Sequence, residues 1–151
     1  MIRETLAATG KLNIVLTNKH GAVKETREVP NVVVTVGKTW IAARMTDTGR
    51  PDDMSHMSVG TTATAAAVTQ TTLVAENGRQ GLTGGEGAPA ASTIVYTATF
   101  AAGTGTGALV EAGVFNSATA NGGVMLCRTV FAAVNKGADD SVTITWTVTI
   151  A

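Results

Sequence analysis

The chain shows a recurring alternation of apolar and polar residues with a period of two. The pattern is clearest over residues 141–150, where Val142, Ile144, Trp146 and Val148 alternate with serine and threonine. Because successive side chains of a β-strand point to opposite faces, this segment is predicted to be a half-buried strand. The same interpretation applies, with varying regularity, to residues 11–17, 23–36, 92–100, 109–116 and 125–134.

Turn-forming residues separate these predicted strands. Residues 18–21, 103–107, 121–123 and 135–140 are rich in glycine, asparagine and aspartate, which favour turns. The strands at 11–17 and 23–36 are expected to form a long hairpin, in which Pro30 marks an edge position or a bulge.

The remaining segments predict little regular structure. One short helix is expected at 38–45, where Trp40 and Ile41 would lie on its apolar face. The polar stretch 46–58 is predicted to be an irregular loop, and the Ala/Thr-rich run 61–72 an extended surface segment. The glycines between Gly81 and Pro89 predict a flexible loop.

These elements predict an all-β protein, an antiparallel β-sandwich of jelly-roll or immunoglobulin-like type with one short helix near 38–45. The predicted strands do not alternate with helices, so the sequence does not indicate a parallel sheet. Residues 1–10 are expected to form an N-terminal arm, and residues 11–151 a single β-sandwich domain, which suits a chain of 151 residues.

Composition adds one unusual feature, a surplus of threonine. The chain is 44% hydrophobic and only 15% charged, which excludes disordered and fibrous classes. Its 26 threonines occupy polar positions that charged residues usually hold. High β-propensity is one explanation. Uncharged strand faces that pack on another subunit are the alternative.

Charge and cysteine content restrict the partners. Eleven basic and eleven acidic residues cancel, which disfavours nucleic-acid binding through phosphate neutralisation. Neither a secretory signal nor an apolar run long enough to span a membrane is visible. Cys127 is the only cysteine, so no internal disulfide can form. We expect synthesis in a reducing compartment and a buried, unreactive thiol.

Two glycine-containing motifs resemble nucleotide-binding signatures but fail in context. Gly37-Lys38-Thr39 matches the end of a phosphate-binding loop, yet Val32 stands where that loop needs its first glycine. Residues 103–108 match a dinucleotide fingerprint, but a predicted strand follows instead of a helix. A hairpin loop is the better interpretation, and no cofactor is predicted.

No catalytic or metal-binding set emerges from the other polar residues. His20 and His56 are the only histidines, and the carboxylates of Asp52 and Asp53 near His56 are interpreted as part of a solvated turn. No metal site and no enzymatic activity are therefore predicted.

Two pairs of opposite charges are candidates for structural ion pairs. Glu76 and Arg79 are three residues apart, whereas Glu111 and Arg128 lie on successive strands of a predicted hairpin. Glu111 has no acidic partner at a spacing that would suit a hydrolase, so the Glu111–Arg128 pair is interpreted as structural.

A set of motifs resembles those of small virion structural proteins of tailed bacteriophages. The resemblance covers most of the chain. The motifs are Met-Ser-Val-Gly-Thr-Thr at 57–62, Leu-Val-Ala-Glu at 73–76 with Arg79, Val-Glu-Ala-Gly-Val-Phe-Asn at 110–116, Met-Leu-Cys-Arg-Thr-Val-Phe at 125–131, Asn-Lys-Gly at 135–137 and Thr-Ile-Thr-Trp-Thr-Val at 143–148. The chain departs from the pattern at Gly78, an extra glycine before Arg79.

The resemblance implies a β-sandwich that forms a homodimer or homotrimer and binds the major capsid protein of the assembled head. It would be made in the host bacterial cytoplasm and would reside on the capsid surface of the virion. The absence of a projecting coiled-coil or collagen-like extension favours this cement, or decoration, role. A tail, collar or fibre-associated structural protein is the alternative, followed by a carbohydrate-binding adhesion module.

Overall fold

The computed structural model describes residues 1–151 and consists of two antiparallel five-stranded sheets and one short helix. In spatial order, the first sheet contains β2 (Val23–Pro30), β1 (Ala8–Thr17), β10 (Ser141–Ile150), β7 (Thr93–Phe100) and β6 (Ala88–Ala90). The second contains β3 (Val32–Val33), β9 (Met125–Lys136), β8 (Gly107–Phe115), β4 (His56–Gly60) and β5 (Glu76–Gly81). The helix, α1, spans Thr35–Ala43. The prediction of an all-β sandwich is confirmed.

The core lies between the two sheets and follows the predicted alternation. In the first sheet, Trp146 of β10 pairs with Leu12 of β1 on one side and with Tyr96 of β7 on the other. All three face inward and belong to a cluster of 23 buried apolar residues. The second sheet contributes residues such as Val59 and Val114 to the same cluster.

The prediction of one continuous strand over 23–36 is wrong beyond Pro30. The chain leaves the first sheet at Asn31 and enters the second as β3, where Val32 and Val33 pair with β9. The helix then begins at Thr35. A run of valines is apolar at every position, so its pattern cannot distinguish a strand from the start of a buried helix.

The helix was predicted at 38–45 but lies at Thr35–Ala43, so it begins three residues earlier and ends two earlier. Its N-cap, Val34, makes no side-chain capping bond, which explains why no capping signal marks this start. Gly37 allows close packing, because a Cβ there would overlap the Leu126 carbonyl of β9. Trp40 is buried on the inner side of the helix and donates from Nε1 to the Asp52 carbonyl at 2.9 Å.

The ends of several other predicted segments change. Strand β1 begins at Ala8, so its first three residues fall inside the predicted arm 1–10. His56, expected in a loop, begins β4, and the predicted loop from Gly81 to Pro89 ends in the short edge strand β6. The run 61–72 contains neither helix nor strand and is mostly exposed. No helix of the chain combines the length and apolarity that a membrane span requires.

Candidate functional site

The most deeply buried ion pair joins Glu111 of β8 to Arg128 of β9. Glu111 lies opposite Val130 and Arg128 opposite Gly113, so the two charged residues are diagonal neighbours on the outer face of the second sheet. Arg128 donates from Nε and Nη2 to Glu111 Oε2, at 3.0 and 2.7 Å. Both side chains are completely inaccessible to solvent. The structure thus brings together the two residues that the sequence singled out.

The loop of residues 61–75 covers this pair and completes its hydrogen bonds. The contacts are Arg128 Nη1 to Gln70 Oε1 at 2.9 Å, Arg128 Nη2 to the Thr64 carbonyl at 2.9 Å, Val74 N–H to Glu111 Oε2 at 3.1 Å and Ala75 N–H to Glu111 Oε1 at 2.8 Å. A buried ion pair is tolerated only when its remaining donors and acceptors are also satisfied. The pair and the loop therefore stabilise each other.

The second predicted pair, Glu76 and Arg79 of β5, is also present. Arg79 donates from Nε and Nη2 to the two carboxylate oxygens of Glu76, at 2.8 and 2.9 Å. Both side chains are at most 5% exposed. The guanidinium carbon of Arg79 also lies 4.0 Å from the centre of the Phe115 ring, a favourable cation–π arrangement.

This second pair fastens a different loop, residues 116–124. Arg79 Nη1 donates to the carbonyls of Ser117 and Gly122, and Asn121 N–H donates to Glu76. Burial would raise the pKa of Glu76, but the hydrogen bonds from Arg79 and Asn121 outweigh it and hold that pKa below its ordinary value. Sequence reasoning missed the loop partners of both pairs. Apart from Gln70, which accepts through its side-chain amide, they contribute main-chain groups, which carry no sequence signal.

The residues considered for a metal site do not converge. Asp53 pairs with Arg44, and the Asp52 carbonyl accepts the Trp40 indole N–H. His56 instead contacts the Ser55 hydroxyl, with Oγ and Nδ1 2.9 Å apart. Burial, followed by the charge of Arg79, lowers the pKa of His56. No group of three histidine, cysteine or acidic side chains is arranged to hold a metal ion.

The other candidates lie apart from these ion pairs. His20 is exposed in the turn between β1 and β2. Cys127 is fully buried in β9, where burial raises the pKa of its thiol. Gly37-Lys38-Thr39 lies within α1, and residues 103–106 form the turn between β7 and β8.

The outer face of the first sheet is a broad threonine surface. The strand registers place ten threonines on this face, which we call the threonine face: Thr9, Thr17, Thr26, Thr93, Thr97, Thr99, Thr143, Thr145, Thr147 and Thr149. Across β7 and β10 the face carries no charged residue. The hydroxyl oxygens of Thr99 and Thr143 are 3.0 Å apart, so neighbouring strands also share side-chain hydrogen bonds.

Comparisons with known proteins identify no relative. No protein-family model matches the chain, and neither the curated proteins nor the solved structures contain a match. The resemblance to phage virion proteins therefore remains a prediction from the motifs.

Proposed function

We propose that this protein is a capsid cement, or decoration, protein of a tailed bacteriophage. The threonine face is the observation that carries the proposal. On β7 and β10 it offers hydroxyl and methyl groups but no charge. Such a face can be covered by another protein without burying an unpaired ion, which would cost several kcal/mol. It suits a broad, permanent protein contact.

The proposed partner is the major capsid protein of the assembled head, and the proposed location is the capsid surface of the virion. A protein that binds the assembled, expanded shell but not its free subunits stabilises that shell by its binding free energy. The chain would be synthesised in the host bacterial cytoplasm. It would act as a homodimer or homotrimer that covers joints between capsid subunits.

The use of the buried charges supports a structural role. Glu111 and Arg128 hold the loop 61–75, while Glu76 and Arg79 hold the loop 116–124. These four ionic side chains are thus engaged in fixing loops to the second sheet. We accordingly propose a non-enzymatic function without a cofactor.

Tail, collar or fibre-associated structural proteins are the alternative, since the same neutral face would suit contacts there. The carbohydrate-binding alternative has less support. Sugar rings stack on accessible aromatic side chains, yet none of the six aromatic residues here is more than 8% exposed.

The first experiment locates and counts the protein in purified particles of the phage that encodes it. A label on the C-terminus is imaged by electron microscopy, and mass spectrometry measures the ratio to the major capsid protein. We expect label over the whole head and a copy number comparable with that of the major capsid protein. Label at one vertex or on the tail, with few copies per particle, would overturn the capsid assignment.

The second experiment tests the threonine face directly. Thr97→Lys combined with Thr149→Lys places two charges on the threonine face at positions of β7 and β10 that do not pair with each other, so like charges are not set directly opposite one another. We expect this variant to lose binding to particles stripped of the protein while keeping the wild-type unfolding midpoint. Thr48→Lys combined with Thr71→Lys adds the same charge at exposed loop positions and should bind like wild type. Equal binding by both variants would contradict the role of the face.

A further inference from the structure

Residues 1–6, which we call the arm, run beyond the first sheet without partners. Strand β1 lies between β10 and β2. Towards the N-terminus, its pairing with β2 ends at Lys11, which lies opposite Pro30. On the other side, the backbones of Ala7 and Ala151 exchange two hydrogen bonds of 2.6 and 2.8 Å. The arm has no backbone hydrogen bond within the chain. Ala7, which follows the arm, is thus held in place, while the N–H and C=O groups of the arm itself remain free to pair with another strand.

Apolar side chains are unusually exposed on the arm and beside it. Met1 and Ile2 are completely or almost completely exposed, Leu6 is 76% exposed and Met45, just beyond α1, is 83% exposed. Leu6 and Met45 line one groove of about 390 Å³, together with Thr5 and Ile41. Seven of the nine residues that line this groove are hydrophobic. An apolar concave surface next to exposed apolar side chains is typical of a protein contact.

The arm sequence is complementary to itself in an antiparallel arrangement. If Arg3 lies opposite Glu4 of a second copy, then Met1 lies opposite Leu6 and Ile2 opposite Thr5. In this register every charge faces an opposite charge and Met1 faces a leucine. Cross-strand pairs of both kinds stabilise antiparallel strands, whereas like charges directly opposite each other destabilise them.

The same register brings the exposed Met1 side chain to the groove. Thr5 and Leu6 line the groove, and their partners in the register are Ile2 and Met1 of the second copy. Because successive side chains of a strand point to opposite faces, Met1 shares a face with its partner Leu6, and Met1 is the side chain that the arm of one subunit would deliver to the groove of the other. Because the arrangement is two-fold symmetric, both grooves would be filled at once.

We propose that two copies of this chain form a homodimer by antiparallel pairing of residues 1–6 across a two-fold axis between Arg3 and Glu4. Met1 of each subunit occupies the groove between the arm and α1 of the other, beside Leu6. This inference deepens the self-association included in the proposed function, because it names the surface and the symmetry.

The test uses charge reversal in the full chain, with association measured by sedimentation equilibrium at low ionic strength. Arg3→Glu alone creates two like-charge pairs in the homodimer, and so does Glu4→Arg alone. Each variant is expected to dimerise about tenfold more weakly than wild type. An equimolar mixture of the two variants restores opposite charges across the axis, so we expect a heterodimer of near wild-type affinity. Lys19→Glu makes the same charge change at an exposed turn and should leave association unchanged.

A second variant tests the groove. Met45→Ser shortens and polarises an exposed side chain, so folding should be preserved, as circular dichroism can verify, while dimerisation weakens. A monomeric or trimeric wild-type protein would overturn the proposed pairing. The pairing would also be overturned if the equimolar mixture of charge variants formed no heterodimer. The same holds if Met45→Ser dimerised as strongly as wild type.

The outcomes separate this inference from the proposed capsid role. A monomer that still binds capsid particles would overturn the arm pairing alone. A dimer with the expected charge dependence that is absent from virion heads would overturn the capsid assignment and leave the arm pairing intact.

Discussion

Arg128 directs two of its donors to a single oxygen of Glu111, Oε2, and thereby leaves Oε1 to accept the N–H of Ala75. Because the side chains come from neighbouring strands while Ala75 belongs to the covering loop, one carboxylate joins the sheet to the loop. The relationship has consequences for stability that can be measured.

Glu111→Gln should be strongly destabilising. The substitution keeps the shape of the side chain but leaves the buried Arg128 without a counter-charge, which typically costs about 3–5 kcal/mol. Urea unfolding monitored by tryptophan fluorescence measures the change. Glu28→Gln is the matched control, because Glu28 and Lys11 form an exposed pair 3.6 Å apart, whose loss should cost at most about 1 kcal/mol. An equal decrease in the free energy of unfolding in the two variants would contradict the role of burial.

Acid should selectively remove the stabilisation that Glu76 provides. Its pKa is lower in the folded protein than the ordinary value of 4.5, so the unfolded chain binds a proton more readily. The contribution is complete above about pH 4.5 and is lost as the pH falls through the lower folded-state pKa. The stability difference between wild type and Glu76→Gln should therefore narrow on acidification. Urea unfolding between pH 7 and pH 3 measures it, and a constant difference would contradict the prediction.

The Cys127 thiol should react only when the protein unfolds. It is fully buried, and burial raises its pKa, so both access and the thiolate form are suppressed. Absorbance of a disulfide reagent should report negligible labelling of native protein and complete labelling in guanidinium chloride. Asp47→Cys supplies an exposed thiol that should react at once, while Cys127 in the same chain stays protected. Fast labelling of native wild type would show that β9 is open to solvent.

Gly37→Ala should destabilise the protein although alanine favours helices. The gain in helix propensity is about 1 kcal/mol, but a Cβ at this position would overlap the Leu126 carbonyl of β9. Separating α1 from β9 is expected to cost more than that gain, in the range of about 1–3 kcal/mol for overpacking. Thr39→Ala on the exposed side of the same helix should have little effect. Thermal unfolding of both variants tests the difference, and a stabilised Gly37→Ala protein would contradict the close packing.

Strand prediction succeeded where one side of a strand is polar. Over β10, Trp146 and its apolar neighbours alternate with threonine because one face packs on the core and the other does not. The prediction of one continuous strand failed beyond Pro30, because Val32, Val33 and Val34 follow one another and leave no polar side to show a period. There the end of β2, the crossing to β3 and the start of α1 depend on which partner each valine meets.

The candidate site was predictable only in part. Glu111 and Arg128 could be identified because hairpin strands place them near each other and their charges are opposite. Their coverage by the loop could not, since Ala75 contributes a backbone N–H and Thr64 a carbonyl. Every residue type offers these groups, so composition does not reveal which ones will be used.

The sequence by itself determined the all-β class, the apolar inner rows and the uncharged threonine rows, because these follow from local alternation along each strand. The tertiary structure alone decided that ten of the threonines share one face, that the loop 61–75 encloses Glu111 and Arg128, and that residues 1–6 emerge beside an apolar groove. Those properties depend on strand register and on contacts between distant segments. Such contacts are set by the packing of the whole chain and not by the pattern of any one part.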